Sequence, residues 1–263
     1  MRDDQVGKVA FVTGAAMGIG RGVAETLARQ GIHVAMFDID PSLHSAASEL
    51  RQQGLDVLPL SGSVTDADSV DAALVETSSH FGGIDILINC AGVVRYGDAE
   101  ALTLDDWDLQ INTNLRSVFL VAKFGVRHLR SRGGGVIISL ASVQAFVTQL
   151  GVPAYTASKG GIVALTRSLA LDYASDGIRA LAIAPGSVDT PMLRKSAALS
   201  ADADHPIEVI LADWDRSHPI GRMANVDDIA KLVAFLVSDE AAMMTGTTVT
   251  IDGGLTSQIG VVR

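Results

Sequence analysis

The stretch Lys8-Val9-Ala10-Phe11-Val12-Thr13-Gly14-Ala15-Ala16-Met17-Gly18-Ile19-Gly20 decides the fold. A short apolar, β-branched run stops at a cluster of glycines, and a helical pattern from Arg21 to Gln30 starts at once. Glycines at such a turn permit positive φ and close backbone approach, while the N-terminus of the helix offers unpaired N–H groups to an anion such as a pyrophosphate. The spacing is G-x-x-x-G-x-G, not the more widespread G-x-G-x-x-G. A tight strand-to-helix turn is the plain alternative, and only the position, strand before and helix after, favours a phosphate loop.

Working outward, six more short runs share the β-branched, apolar character: HVAMFDI from 33, DVLPLSG from 56, IDILINCAG from 84, GVIISLAS from 135, IRALAIAPG from 178 and TVTIDGG from 248. The stretches between the first six are long enough for crossover helices. That spacing predicts an α/β fold: a Rossmann-like, doubly wound, mostly parallel seven-stranded sheet with helices on both faces, whose strands read as continuously apolar because both faces are covered. No linker or repeat divides residues 1–263, so a single dinucleotide-binding and catalytic domain is expected. Only the region at about 191–219, between Pro191 and Pro219, loses its pattern, and it reads as an irregular substrate lid inserted over the site. In such a sheet ligands bind beyond the carboxyl ends of the strands, where strand order reverses.

The second run ends at Asp38, eighteen residues beyond Gly20, the position of a carboxylate that binds adenosine ribose hydroxyls. A 2′-phosphate would meet a like charge there, and neither Met17 nor Ile39 supplies a cation, so NAD is expected over NADP. A solvated strand-end acid is the alternative, and Asp40, before Pro41, fits that description. Further on, Tyr155-Thr156-Ala157-Ser158-Lys159 heads an apolar helix, with Ser142 thirteen residues earlier at the end of the fifth strand. An i, i+4 pair shares a helix face, so phenol and ammonium point the same way. A free phenol has a pKa of about 10, and bringing it to about 7 with the charge of Lys159 and of an oxidised nicotinamide would take roughly 4 kcal/mol of differential stabilisation. Ser142 can hold the substrate oxygen. Singly, each has an ordinary reading: Tyr155 as a packing aromatic, Lys159 as a snorkelling lysine, Ser142 as a cap.

Taken together, from Lys8 to Gly254, these motifs resemble the short-chain dehydrogenase/reductase family. The glycine pattern matches Thr13 to Gly20, an Asn-Ala-Gly strand end falls at Cys90-Ala91-Gly92, and the Ser, Tyr and Lys of the family fall on Ser142, Tyr155 and Lys159. A helix asparagine falls on Asn114, with Asn112 the decoy beside it; a Pro-Gly turn falls on Pro185-Gly186, a later threonine on Thr190, and the last strand on Ile251-Asp252-Gly253-Gly254. The resemblance implies a catalytic set of Ser142, Tyr155, Lys159 and Asn114, the last holding a water in a proton relay behind Lys159. It implies cofactor contacts from Gly14, Met17, Gly18, Ile19, Asp38, Ile39, Ser63, Val64, Cys90, Ala91, Gly92, Tyr155, Lys159, Pro185, Gly186, Val188 and Thr190, with Thr190 on the nicotinamide amide. It also implies a homotetramer, built through the last strand and the two long helices Leu104 to Ser131 and Val152 to Ser175. Three positions depart from the pattern. Ser63-Val64 stands where an aspartate near the adenine amine is usual, Cys90 replaces an asparagine, and Leu181 replaces another, which loosens the expected hold on the cofactor but leaves the trio intact.

With 20 basic against 30 acidic residues, a net charge of -10 and no Lys/Arg run, nucleic acid is not an expected partner. The lone Cys90 excludes an internal disulfide and a cysteine zinc set, and the six histidines lack metal-site spacing, so no metal is expected. No apolar run approaches the roughly 20 residues that span a bilayer, and MRDDQVGK is not a secretory leader; a cytoplasmic protein away from membranes is expected. There is no G-x-S-x-G elbow, which argues against a serine hydrolase. Around the site, Val93, Val94, Arg95, Tyr96, Gln144, Ala145, Phe146 and Gln149 can line the substrate side, with Arg95 either an anion contact or a solvated loop residue. Trp214, Met192 and Leu193 can form an apolar lid or a subunit contact. The expected activity is NAD-dependent interconversion of a secondary alcohol or sugar-type hydroxyl with a carbonyl on a small-molecule substrate, Tyr155 acting as acid/base. The alternatives are an NADPH-dependent ketoreductase of the 3-oxoacyl type and a non-catalytic NAD-binding scaffold.

Overall fold

The computed structural model describes residues 5–202 and 204–258; residues 1–4, on which the leader reading partly rests, lie outside them. Seven strands form one sheet in the order β3-β2-β1-β4-β5-β6-β7, all paired in parallel: β1 (Val9–Thr13), β2 (His33–Asp38), β3 (Val57–Ser61), β4 (Ile86–Asn89), β5 (Gly135–Leu140), β6 (Ile178–Pro185) and β7 (Thr248–Ile251). Strand order reverses between β1 and β4. Pro59, which has no N–H to donate, is accommodated because β3 lies at the sheet edge.

Successive strand residues point to opposite faces, and both faces are buried. On one, Ala10, Val12, Met36 and Ile88 pack against α1 (Gly18–Arg29), α2 (Leu43–Gln52) and α9 (Val226–Leu236). On the other, Phe11, Phe37, Leu87 and Ile137 pack against α3 (Ala67–Phe81), α5 (Ser117–Ser131) and α6 (Pro153–Asp172). Such two-sided burial, at about 25 cal/mol per Å² of apolar surface, is the main term that favours the fold.

Two elements differ from the sequence reading. The helix expected from Leu104 to Ser131 is interrupted: α4 (Leu104–Gln110) passes through a π-helical turn, Ile111–Arg116, before α5, a re-registration that turns Asn114 inward and buries it. Residues 191–219 are not irregular but form α7 (Pro191–Ser200) and α8 (Ile207–Ser217). Thr190 caps α7, with its Oγ1 accepting the Leu193 N–H at 3.3 Å and Pro191 at the first helical position. The pattern is faint because α8 buries no residue completely: Ile207, Ile210, Leu211 and Trp214 stay half-buried, so no core stripe marks the helix.

Candidate active site

At the switch point the β1–α1 turn lies against the turn that follows β4. Gly14 has φ +67°, and a Cβ on it would stand 2.7 Å from the Ala91 nitrogen; a Cβ on Gly20 would run into the Gly14 carbonyl. Only glycine permits this contact. Thr13 locks the two turns together, its Oγ1 accepting the N–H groups of Cys90 at 3.2 Å and Ala91 at 3.3 Å. No side chain caps α1, whose N-cap is Met17, so its leading N–H groups are left for an anion. Asp38 closes the far side. Its Oδ2 accepts the Ala16 N–H at 2.9 Å and its Oδ1 the Asp40 N–H at 3.0 Å, which leaves each oxygen a lone pair for a ribose hydroxyl. These features fit a dinucleotide laid across the switch point. Ile39 is largely exposed and Val64 buried, while the Ser63 hydroxyl is engaged locally, accepting the Thr65 N–H at 3.2 Å and bonded to the Thr65 hydroxyl at 2.8 Å.

Ser142 follows β5. Its Oγ accepts the Gln144 N–H at 3.2 Å, capping the short turn Val143–Ala145, and it lines the same cleft as Tyr155. Pro153 at the start of α6 places Tyr155 in the first turn and Lys159 one turn later. Lys159 is buried, with Nζ 5.4 Å from the centre of the Tyr155 ring and donating to the Leu140 carbonyl at 2.6 Å. The protein's own groups alone do not bring the phenol toward neutral pH. Burial pushes Tyr155 up to about 12; the nearby Ser142 hydroxyl pulls the other way and Tyr96 adds to the rise. Burial brings Lys159 down to about 8, against the pull of Cys90, itself pushed up to about 12 by burial. The main cause for both groups is burial, and the ammonium donates to the Leu140 carbonyl.

Asn114 sits behind Lys159 with its side chain committed: Oδ1 accepts the Val93 N–H at 2.8 Å, and Nδ2 donates to the Val93 carbonyl at 3.0 Å and to Ser158 Oγ at 3.1 Å. A cleft of about 550 Å³ gathers Ile19, Cys90, Gly92, Ser142, Tyr155, Lys159, Pro185, Gly186, Val188 and Thr190 on one wall system, with Val94, Tyr96, Gln144 and Gln149. Met192, Leu193 and Trp214, from α7 and α8, line it as well. Gly14, Met17, Gly18, Asp38, Ile39, Ser63, Val64, Ala91 and Asn114 are not among its lining; the adenosine-side residues stand at the ends of β2 and β3, across the glycine turn. Arg95 turns away, its guanidinium on the Val94 carbonyl at 3.0 Å and 3.5 Å from Asp106, and Phe146 is exposed outside the lining.

Three contributors were assigned no role of their own from the sequence. Thr13, inside the glycine pattern, and Ser158, between Tyr155 and Lys159, are hydroxyls that tie neighbouring segments together. His218 is buried where α8 ends; its Nδ1 lies 2.7 Å from the Trp214 carbonyl and its Nε2 accepts the Ser187 N–H at 3.2 Å, the pattern of a neutral ring protonated on Nδ1. It staples α8 to the loop that follows Gly186. Among the described residues no group of His, Cys, Asp and Glu is placed to hold a metal, and no helix is long and apolar enough to cross a membrane.

Comparison with known proteins agrees with this geometry. The family model described as enoyl-(acyl carrier protein) reductase matches residues 14–256. The oxidoreductase UcpA of Escherichia coli (strain K12) is 40% identical over 251 residues, 95% of each chain. The cis-4-hydroxycyclohexanecarboxylate dehydrogenase of Sinomonas cyclohexanicum is 37% identical over 95% of this chain and 97% of its own. Among solved structures, the ligand-free aldohexose dehydrogenase of Thermoplasma acidophilum superposes with a TM-score of 0.90 at 33% identity, covering 99% of this chain and 98% of that one. The chain belongs to the short-chain dehydrogenase/reductase family. It is accordingly an oxidoreductase of the alcohol–carbonyl type, acting on a small molecule with a nicotinamide cofactor.

Proposed function

We propose that this enzyme interconverts a secondary alcohol and a carbonyl with NAD, and that Tyr155 is its acid/base. The observation that carries the proposal is that Ser142, Tyr155 and buried Lys159 meet in the wall of one cleft. A nicotinamide dinucleotide held by the Gly14–Gly20 turn, Asp38 and the Pro185–Thr190 segment supplies the hydride acceptor or donor. Ser142 donates to the substrate oxygen and orients it. Tyr155 takes the hydroxyl proton as the alcohol is oxidised and returns it when the carbonyl is reduced. Lys159 favours the phenolate by charge. With the Asn114 amide committed to Val93 and Ser158, a water behind Lys159 is taken by the second lone pair of Asn114 Oδ1 or by its main-chain carbonyl.

The preference for NAD rests on Asp38, whose carboxylate opposes a 2′-phosphate. A cytoplasmic setting is proposed from the single cysteine, and a homotetramer from the resemblance to the family. The test is a panel of alcohols and sugars with NAD and NADP, followed by absorbance of the reduced cofactor, with Tyr155→Phe run alongside. Turnover with NAD that Tyr155→Phe lowers more than about tenfold, with NADH binding retained, is expected. No turnover across the panel, or a variant keeping more than about a tenth of the activity, would sink the assignment.

A further inference from the structure

Among the described residues the cleft carries one full charge, the ammonium of Lys159, and that group already donates to the Leu140 carbonyl at 2.6 Å. The rest of the lining is apolar or neutral, with polar atoms from Tyr96, Gln144, Thr148, Gln149 and Ser217 among it. Nearby cations are committed elsewhere: Arg95 lies 3.5 Å from Asp106, and Arg194 makes a two-pronged pair with Asp189 at 2.7 Å. A carboxylate or phosphate entering such a cleft would give up its hydration and meet no cation besides Lys159, whose ammonium is held at the Leu140 carbonyl.

A second observation concerns Gln144. Its Oε1 is buried and has no hydrogen-bond partner, while its backbone N–H is tied to Ser142 Oγ at 3.2 Å. An amide oxygen left unpaired beside a cleft is held unfavourably. Rotation about the last side-chain torsion, which is broad for glutamine, exchanges the amide oxygen and nitrogen, so Gln144 can offer a molecule in the cleft it lines either an acceptor or donors. Because the backbone tie keeps Gln144 next to the hydroxyl that orients the reacting oxygen, the group it reaches is a near neighbour of the reacting carbon.

We propose that the substrate is an uncharged alcohol with a second hydroxyl close to the reacting carbon, a diol or polyol, and that Gln144 is the residue that selects for that second hydroxyl. This rests on the alcohol–carbonyl reading above and narrows it. A substrate bearing a carboxylate, as the name of the Sinomonas relative carries, does not suit this cleft.

The experiment measures kcat/KM on matched sets: small uncharged diols and polyols, the same molecules lacking the second hydroxyl, and the same molecules with a carboxylate in its place. The diol is expected to exceed the mono-alcohol by about tenfold or more, the worth of one hydrogen bond read by an otherwise unpaired group, with the carboxylate lowest. Gln144→Ala should bring the diol to mono-alcohol ratio toward one, and Gln144→Arg should raise the carboxylate relative to the diol. A carboxylate that outruns the diol in the unaltered enzyme, or a ratio that Gln144→Ala leaves unchanged, overturns this inference while leaving the alcohol–carbonyl reading in place. Absence of turnover on every set overturns the reading on which it rests.

Discussion

Burial reverses the order in which Tyr155 and Lys159 lose their protons in water. With the ammonium down to about 8 and the phenol up to about 12, the first proton lost leaves the pair at about 8. Reduction of a carbonyl needs the fully protonated pair, so its kcat/KM should be flat below about 8 and fall above it. Oxidation needs phenolate beside ammonium, a tautomer that is a constant fraction of the singly deprotonated pair. Its kcat/KM should rise with pH and level off at about 8, or lower where a bound cationic ring adds to the charge of Lys159. In Lys159→Met the bend should vanish and the rise continue toward about 12, the range of the phenol. Rate profiles in both directions check this; an oxidation profile flat from pH 6 to 10 would contradict it. At the other end of the cofactor site, Asp38→Ala removes both the opposing charge and the acceptor of the Ala16 N–H. The NAD to NADP ratio of kcat/KM is expected to fall by about tenfold or more, and an unchanged ratio would show that Asp38 is not the discriminator.

Among the elements, α7 and α8 set the substrate side, and their attachment is unequal. Thr190 caps the start of α7, whereas the end of α8 is held by His218 between the Trp214 carbonyl and the Ser187 N–H. In His218→Phe the Ser187 N–H loses its partner in a crowded place, where a Cβ on Gly186 would already stand 2.9 Å from the ring nitrogen. A loss of about 1–3 kcal/mol in stability is expected, with a higher KM for substrate because α8 carries Trp214 into the cleft. Chemical denaturation and steady-state kinetics test both parts, and unchanged values of both would remove the staple from the account.

For the whole molecule, exposed apolar side chains on the helices named by the family resemblance bear on assembly. Leu104 is 81% exposed on α4 and Leu171 82% on α6, with Trp107 and Phe119 also open to solvent on α4 and α5. Side chains of this size on an acidic surface mark contact faces when they cluster on particular elements. Sedimentation should give four times the mass of one chain, and Leu171→Glu should lower that value. A monomer at micromolar concentration would refute the tetramer.

What the amino-acid sequence determined by itself is local. Seven β-branched runs, the glycine turn and the i, i+4 relation of Tyr155 to Lys159 follow from backbone sterics and period, which operate over a few residues. What only the tertiary structure decided is how those groups are solvated and whom they meet. Leu140, nineteen residues from Lys159, takes its ammonium; Asp106 draws Arg95 out of the cleft; Val93 and Ser158 occupy Asn114. The half-buried stripe of α8 hid that helix because its apolar face borders a cleft rather than the core. Desolvation and pairing depend on neighbours far along the chain, so the protonation of Tyr155 and Lys159 and the scarcity of charge in the substrate cleft became legible only once the chain was folded.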